Sequence, residues 1–280
     1  MARYQTVRLG KPIGADGMKA ANSETVLITG ASSGIGLELA KCFAADGCRL
    51  VLLARDIGAL ESLAGELRRT NQIEALVMTA DLSRPETPGH VFKELEGRGI
   101  VVDVLVNNAG FGAQGIFAGL PLQRQLEMVQ VNVAALTNLT GLFLPGMIER
   151  RRGGVINVGS VAGFLAGPGM AVYYATKAFV LSFTEALAEE LAGSGLTVTA
   201  LCPGPTETNF GKVARGGKVR RLKITKMTAQ AVAHHGYEAF RHGKIVAIPG
   251  LRNRFLIFWI RITPRWLVRR MSKFYNHVEE

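Results

Sequence analysis

Short apolar runs alternate with longer amphipathic segments along most of the chain. Runs of five or six apolar residues are typical of strands buried on both faces of a parallel sheet. They predict strands at Thr25–Thr29, Arg49–Ala54, Ala75–Thr79, Val102–Asn107, Val155–Gly159, Thr197–Leu201 and Lys244–Ile248. The segments between them predict helices at Gly34–Ala45, Ile57–Thr70, Pro88–Glu96, Leu122–Arg150, Met170–Leu191 and Thr228–Arg241. This alternation predicts right-handed βαβ units, and therefore an α/β fold with a doubly wound parallel sheet in a single domain.

The predicted domain covers residues 24–250, and segments of different composition precede and follow it. Residues 1–23 carry basic side chains without an apolar stretch, which predicts a disordered lead-in and not a signal peptide. Residues 251–280 predict a basic, amphipathic helical extension, in which a second helix begins near Thr263 and Pro264. No run of about 20 apolar residues occurs, so the sequence predicts no ordinary transmembrane helix.

The positive charge of the chain is concentrated in its last quarter. Residues 211–280 hold 16 Lys and Arg against three Asp and Glu, a net charge of +13, whereas residues 1–210 have a net charge of −2. The stretch from Asn209 to Lys226 holds seven of the cations and no acid. We interpret it either as a solvated loop or as a segment that attracts anionic ligands. The cations lack a recognised nucleic-acid-binding fold or an aromatic stacking platform, so we expect no nucleic-acid partner.

The cysteines and histidines indicate neither disulfides nor a metal site. Cys42, Cys48 and Cys202 have no paired spacing, which predicts reduced thiols and a cytoplasmic location. The five histidines have no metal-ligand spacing with cysteines or carboxylates, so no metal is expected.

The stretch TGASSGIG, from Thr29 to Gly36, joins the first predicted strand to the first predicted helix. A helix N-terminus presents unpaired N–H groups and the positive end of the helix dipole. Gly30, Gly34 and Gly36 allow a tight turn and the close approach of an anion. The stretch therefore predicts a site for a dinucleotide pyrophosphate, although three glycines alone would also fit a plain tight turn.

Ser160, Tyr173 and Lys177 form a second candidate site. Tyr173 and Lys177 are four residues apart in a predicted helix and therefore share one face. An ammonium beside a phenol is expected to lower the phenol pKa from about 10. Such a tyrosine can donate a proton to a carbonyl oxygen or accept one from an alcohol, and Ser160 can hold the same oxygen. Tyr174 is the rival tyrosine, and we interpret it as a packing or pocket residue.

Taken together, these motifs resemble the best-known branch of the short-chain dehydrogenase/reductase family. The shared motifs are TGASSGIG, NNAG at Asn107 to Gly110, Asn132 in VNV, Ser160, YYATK, and Pro203–Gly204. The resemblance covers about residues 24–250 and implies a Rossmann-type sheet of about seven strands. It implies a catalytic tetrad of Asn132, Ser160, Tyr173 and Lys177, in which Lys177 also holds the nicotinamide ribose and Asn132 anchors a water. It also implies a homo-oligomer, dimer or tetramer, built on the two longest helices, and a substrate lid after Pro203–Gly204.

The resemblance also implies the residues that contact the cofactor. They are Gly30, Ser32, Ser33, Gly34, Ile35, Gly36, Arg55, Asp81, Leu82, Asn108, Ala109, Gly110, Tyr173, Lys177, Pro203, Gly204, Thr206 and Thr208. Members that bind NAD usually carry an acid at the end of the second strand, where this chain has Ala54 followed by Arg55. Because a guanidinium suits a 2′-phosphate, the sequence favours NADP(H). NAD(H) stays the alternative, since Asp56 would reach the ribose after a shift of one residue.

The expected function is an NADP(H)-dependent oxidoreductase that interconverts a carbonyl and an alcohol by hydride transfer, with Tyr173 as general acid and base. The expected partner is a small, hydrophobic substrate, acyl-linked carbonyls included. The alternative is a cofactor-sensing or membrane-associated binding protein with little turnover. Residues 251–280 leave three roles open: peripheral contact with an anionic membrane, closure of the substrate pocket, or contact with a neighbouring subunit.

Overall fold

A seven-stranded parallel sheet runs through the described part of the chain, which comprises residues 24–214 and 226–276 of the computed structural model. The predicted lead-in at residues 1–23 and most of the basic stretch after Asn209 lie outside the described residues. The strands are β1 (Thr25–Thr29), β2 (Arg49–Ala54), β3 (Ala75–Thr79), β4 (Val104–Asn107), β5 (Gly154–Val158), β6 (Thr197–Leu201), β7 (Thr206–Glu207), β8 (Met227–Thr228) and β9 (Val246–Ala247). The sheet order is β3-β2-β1-β4-β5-β6-β9, and β7 pairs with β8 separately.

Helices cover both faces of the sheet. They are α1 (Gly34–Ala45), α2 (Ile57–Asn71), α3 (Thr87–Gly97), α4 (Leu122–Val129), α5 (Leu136–Arg150), α6 (Ala171–Glu190), α7 (Phe210–Ala214), α8 (Ala229–Arg241), α9 (Leu251–Ile262) and α10 (Arg265–Tyr275). One apolar core lies between the sheet and α1, α2 and α8. A second lies between the sheet and α3, α5 and α6. The central strands are therefore buried on both sides, which explains their continuous apolar sequence.

The predicted α/β fold, a doubly wound parallel sheet of seven strands, is confirmed. Two predicted strands are shorter in the structure. β4 begins at Val104 and not at Val102, and the carboxylate of Asp103, just before it, accepts a hydrogen bond from the backbone N–H of Thr25 at 3.0 Å. The last strand is reduced to Val246–Ala247 at the edge of the sheet. The predicted helix at Leu122–Arg150 is divided into α4 and α5 by one π-helical turn, Gln130–Ala135.

One long helix bears on the expectation that the chain has no ordinary transmembrane helix. Among the described residues, Leu122–Arg150 is long and apolar enough, by length and composition alone, to cross a membrane. Its inner face buries Leu139, Phe143 and Met147 in the core beneath the sheet. We therefore interpret its apolar character as that of a core helix.

Candidate active site

The glycine turn leaves the N-terminus of α1 open. Gly30 and Gly34 have positive φ angles of 65° and 58°, and Ser33 precedes the helix without a side-chain capping bond. A Cβ atom at Gly36 would overlap the Asn108 amide and the Gly30 carbonyl. Ser32 and Ile35 complete the turn, and Ile35 packs on the core below it. The first N–H groups of α1 are thus available to an anion such as a phosphate.

A network of hydrogen bonds holds the NNAG segment against this turn. The Thr29 hydroxyl accepts from the backbone N–H groups of Asn108 and Ala109, both at 3.0 Å. The Asn108 amide donates to the carbonyls of Thr29 and Gly30, at 2.8 and 3.1 Å. The ends of β1 and β4 therefore form one rigid edge, where ligands of open α/β sheets bind. Sequence reasoning did not assign a role to Thr29, although it is the first residue of the glycine motif.

The residues expected to contact the adenosine half lie at the ends of β2 and β3. Arg55 is exposed directly after β2, whereas the Asp56 side chain caps α2 by accepting from Ala59 N at 3.0 Å. Partial burial alone would raise the pKa of Asp81. Hydrogen bonds from Ser83 and the nearby positive charges of Arg55 and Arg84 have the larger opposite effect, so the pKa lies below its ordinary value. Leu82 is buried beside Asp81. Because Asp56 already serves as a helix cap, its carboxylate is directed to the backbone of α2.

Tyr173, Ser160 and Lys177 converge at the carboxyl end of the sheet. The Tyr173 hydroxyl is hydrogen-bonded to Ser160, whose own hydroxyl accepts from Ala162 N at 3.1 Å. A Cβ atom at Gly110 would lie 2.9 Å from Asn132 Oδ1 and 3.6 Å from Lys177 Nζ. The end of the NNAG segment therefore lies directly against the tetrad.

The structure corrects the expected pKa of Tyr173. Burial raises this pKa above its ordinary value, and the hydrogen bond with Ser160 offsets the rise only in part. Lys177 Nζ donates to the carbonyl of Val158 at 2.7 Å, and burial lowers the Lys177 pKa to about 8. The expectation of a Tyr173 pKa below about 10 was wrong, because desolvation raises this pKa and outweighs the hydrogen bond with Ser160, which lowers it. The phenol is therefore protonated at neutral pH, the form that donates a proton to a carbonyl oxygen.

Asn132 lies in the π-helical turn and joins two elements of the site. Its amide donates to the carbonyl of Phe111 at 3.0 Å and to the Thr176 hydroxyl at 3.1 Å. Its Oδ1 accepts from the backbone N–H of Phe111 at 3.1 Å. Both amide protons are thereby used, so the Asn132 side chain fixes the loop after Gly110 against α6. Thr176, between Tyr173 and Lys177, is a site residue that sequence reasoning missed.

The Tyr173 ring lies in an apolar cluster that covers its outer side. The buried members are Ala113, Met128, Ala162, Tyr173 and Tyr174, and Phe111, Leu120, Leu165, Met170, Val172 and Phe210 pack against them. The Phe210 ring, at the start of α7, lies 5.1 Å from that of Tyr173. The wall beside the phenol is therefore apolar, with α7 against it.

Tyr174 faces the end of the C-terminal extension. Its hydroxyl donates to Asn276 Oδ1 at 3.2 Å, and Gln114 Nε2 donates to the Asn276 carbonyl at 3.1 Å. The end of α10 thus packs beside the candidate site, 102 residues along the chain from Tyr174. No local sequence pattern pointed to Asn276.

The loop after β6 reaches back to the glycine turn. Pro203 accepts a hydrogen bond from Val161 N at 3.0 Å, and Thr206 Oγ1 donates to the Gly204 carbonyl at 2.9 Å. A Cβ atom at Gly34 would lie 2.9 Å from Thr208 Cγ2. A cavity of about 390 Å³ opens there, lined by Gly34, Glu207, Thr208, Asn209 and Lys226. The fold therefore brings the predicted phosphate turn and the predicted nicotinamide loop together around open space.

Comparison with known proteins agrees with this geometry. The family model of short chain dehydrogenases matches residues 24–218. A Streptomyces coelicolor protein named for ketoacyl reduction is 40% identical over 201 residues, which cover 71% of this chain and 76% of that protein.

Solved structures of similar fold contain nicotinamide cofactors. A short-chain dehydrogenase from Sphingobium yanoikuyae in complex with NADPH has a TM-score of 0.76 and 32% identity, over 92% of this chain and 97% of that one. A short chain dehydrogenase/reductase from Burkholderia phymatum in complex with NAD has a TM-score of 0.74 and 26% identity, over 94% and 98% of the two chains. A nicotinamide cofactor is thus indicated for this fold, and both forms of it occur among its neighbours.

Proposed function

Because the chain belongs to the short chain dehydrogenase family, we propose that it is an NADP(H)-dependent oxidoreductase that interconverts a carbonyl and an alcohol on a hydrophobic substrate. The observation that carries this proposal is the convergence of the Tyr173 phenol, Ser160 and Lys177 beside the open glycine turn. Helix α6, which carries Tyr173 and Lys177, the loop at Ser160 and the glycine turn are separate parts of the chain. A merely structural role would not require them to meet at the ligand-binding edge of the sheet.

The residues present fit a dinucleotide. The uncapped N-terminus of α1 offers N–H groups to the pyrophosphate, and the glycines leave space that a Cβ atom would fill. In our proposal the adenosine lies near Arg55, Asp81 and Leu82, and the nicotinamide near Gly110, Lys177 and the Pro203–Thr208 loop. Bound there, the nicotinamide supplies or accepts the hydride.

Tyr173 moves the proton that accompanies the hydride. In the reductive direction its protonated phenol donates to the carbonyl oxygen, while the Ser160 hydroxyl binds that same oxygen. As Tyr173 loses the proton, the charged ammonium of Lys177 stabilises the developing phenolate. Asn132 acts through the backbone of Phe111 and through Thr176, and so positions the elements that carry Tyr173 and Lys177.

A preference for NADP(H) over NAD(H) is supported by the end of β2. The exposed Arg55 guanidinium is free to meet a 2′-phosphate, for which its forked donors are suited. Asp56, the residue that would favour NAD, caps α2 instead.

The substrate is proposed to be apolar around its carbonyl. Support comes from the cluster beside Tyr173, in which Phe111, Leu165 and Phe210 offer no charge to the substrate. The relative named for ketoacyl reduction supports an acyl-linked carbonyl as one member of this class.

We also propose a cytoplasmic homo-oligomer. Exposed apolar side chains on the outer face of α4, α5 and α6 support the assembly: Leu122, Leu126, Val129, Ile148 and Phe179. Contact between two such faces would remove apolar surface from water. Dimer and tetramer both fit this surface.

A panel of carbonyl and alcohol substrates, followed by the absorbance of NADPH, tests the proposed function. We expect reduction of bulky ketones or aldehydes, with turnover rising with the apolar size of the substrate. Tight NADPH binding with no turnover over the whole panel would contradict the proposal and favour a cofactor-sensing protein.

A further inference from the structure

The helices α9 and α10 expose an extensive apolar surface. Eleven large apolar side chains of these two helices are exposed, and two of them, Leu251 and Phe274, are each 80% accessible to solvent. Both tryptophans of the chain, Trp259 and Trp266, belong to this group. We call the exposed side chains of α9 and α10 the C-terminal surface. Soluble proteins seldom expose a contiguous apolar patch of this kind unless it binds a partner or a membrane.

The apolar side chains follow the helical repeat. On α9 they recur at Leu251, Phe255 and Phe258, and on α10 they recur at Leu267, Met271 and Phe274, spaced four and then three residues apart. Residues at this spacing form one stripe along a helix. Each helix thus presents an apolar stripe to solvent, although α9 buries Ile257 and α10 buries Val268 and Ser272 on the inner side.

The same surface carries only positive charge. Residues 251–276 hold seven Arg and Lys and no Asp or Glu. Arg269, Arg270 and Lys273 line a cavity of about 520 Å³ together with Trp266 and Pro168. The Arg270 guanidinium lies 5.6 Å from the centre of the Trp266 ring. This cavity can take an anionic group of the size of a phosphate headgroup, with an indole at the level of the headgroups.

The C-terminal surface adjoins the candidate active site at both ends. Near the start of α9, the Asn253 side chain lies against Gly204. At the end of α10, Asn276 binds Tyr174, whose ring lies 6.0 Å from that of Tyr173. Pro168, in the loop between β5 and α6, lines the basic cavity. Whatever occupies this surface therefore lies close to the apolar wall beside Tyr173.

We propose that the C-terminal surface docks on an anionic phospholipid bilayer and brings the substrate cleft to the lipid. The statement about the substrate cleft rests on the proposed function. In that case the carbonyl or alcohol that reacts at Tyr173 is a molecule dissolved in the lipid. Apolar stripes inserted among headgroups, with Arg and Lys beside lipid phosphates, are the chemistry of an interfacial helix. Because exposed Arg side chains alternate with the apolar ones along both helices, their charged ends can reach the phosphates while their stems lie along the acyl boundary.

The charge of the surface argues against a second copy of this chain as the occupant. A symmetric contact through α9 and α10 would place seven cations opposite seven cations, with no acid on either side. Like charges brought together in this way oppose association. A bilayer that contains anionic lipid removes this repulsion and covers the apolar stripes at the same time.

Flotation of the full-length protein with vesicles tests the docking. We expect it to float with phosphatidylcholine vesicles that contain phosphatidylglycerol, and to float little with phosphatidylcholine alone or at high salt. The triple variant Arg269→Gln, Arg270→Gln, Lys273→Gln should bind the anionic vesicles about a hundredfold more weakly. Its matched control removes three exposed cations elsewhere, by Arg69→Gln, Lys93→Gln and Lys244→Gln, and should bind almost as the parent does.

A second variant tests whether the apolar side chains of the C-terminal surface contribute to vesicle binding. Phe258→Ala with Phe274→Ala should weaken vesicle binding about tenfold or more, while the unfolding temperature stays close to that of the parent, because both rings are exposed. Failure of the parent to float on anionic vesicles would overturn the docking, as would equal binding by both triple variants. Self-association through this surface, abolished by the two Phe→Ala changes while no vesicles are bound, would also overturn it.

Activity assays separate the docking from the proposed function. With a water-soluble ketone, the double Phe→Ala variant should turn over as the parent does. With a ketone dissolved in anionic vesicles, its rate should fall about tenfold, in step with vesicle binding. Equal rates of the two proteins in vesicles would overturn the delivery of substrate from lipid. Vesicle binding without turnover of any carbonyl would leave the docking in place and contradict the proposed oxidoreductase.

Discussion

At the residue scale, burial decides the protonation of the candidate catalytic groups. Tyr173 and Lys177 are both removed from water, so each is shifted towards its neutral form. The phenol keeps its proton at neutral pH, and the amine has a pKa of about 8. Tyr173 is therefore in the form that donates a proton to a carbonyl. The positive charge of Lys177, which helps Tyr173 to release that proton, depends on pH.

The pH dependence of reduction should report the ammonium of Lys177. Below its pKa of about 8, Lys177 is charged and stabilises the phenolate that forms at Tyr173. Above that pH the amine is neutral and this stabilisation is lost, whereas the raised pKa keeps Tyr173 protonated. We expect kcat/KM for carbonyl reduction to be constant at lower pH and to fall about tenfold per pH unit above about 8. A profile that stays flat to pH 10 would show that the Lys177 charge has no part in the reaction.

Arg55 should decide between the two forms of the cofactor. Its replacement by Ala removes the proposed charged hydrogen bonds to a 2′-phosphate and leaves the Asp56 cap in place. We expect kcat/KM for NADPH to fall by about 10- to 100-fold and that for NADH to change little. Arg69→Ala, an exposed change further along α2, is the control. An Arg55→Ala enzyme with an unchanged ratio of the two values would place the 2′-phosphate elsewhere.

At the scale of elements, the glycine turn is the segment least tolerant of added atoms. Its backbone lies against the Asn108 amide, so a methyl group at Gly36 has no free volume. The same crowding holds β1, α1 and the NNAG segment in one arrangement. The lack of space for a Cβ atom, more than the conformational freedom of glycine, explains why glycine occupies position 36.

Gly36→Ala should therefore damage both the fold and cofactor binding. The new Cβ atom would displace Asn108 or the Gly30 carbonyl, and we expect a lower unfolding temperature and a loss of NADPH affinity of about tenfold or more. Gly65→Ala is the matched control, because no atom lies within 4 Å of its Cβ position in α2. That change should raise the free energy of unfolding by about 0.5–1 kcal/mol. Thermal unfolding and a binding titration distinguish the two, and a Gly36→Ala protein that behaves as the control would contradict this account.

Most of the fold was predictable from the sequence, because the period of apolar residues determines strands and helices locally. The apolar runs at Thr25–Thr29 and Thr197–Leu201, for example, are strands with the predicted bounds. The raised pKa of Tyr173 was not predictable, since it depends on how much of the ring other elements cover. The contact between Tyr174 and Asn276 joins residues 102 positions apart and has no local signal.

At the scale of the whole molecule, two exposed apolar regions differ in charge. The outer face of α4, α5 and α6 is apolar and carries the stacked pair Phe179 and Phe183, with ring centroids 5.7 Å apart. The C-terminal surface combines apolar stripes with seven cations. This difference supports the proposal that the first region contacts another copy of the chain and that the second contacts a lipid surface.

Phe179→Glu should dissociate the proposed oligomer. A carboxylate on this face would be buried without a partner in the assembled state, which disfavours association. Val101→Glu, at an exposed apolar position outside α4, α5 and α6, is the control and should leave the assembly unchanged. Sedimentation velocity gives the mass of each protein. A parent chain that sediments as a monomer would contradict the oligomer at once.

The central claim is that the Tyr173 hydroxyl moves the proton. Separate replacement of each of the two neighbouring tyrosines by phenylalanine tests this claim most directly. Single-turnover and steady-state reduction of a ketone by NADPH should be measured for Tyr173→Phe and Tyr174→Phe. We predict that Tyr173→Phe loses about 10²- to 10⁴-fold in kcat while NADPH binds as before. Tyr174→Phe, which loses the hydrogen bond to Asn276, should keep most of the activity. An active Tyr173→Phe enzyme beside an inactive Tyr174→Phe enzyme would contradict the account.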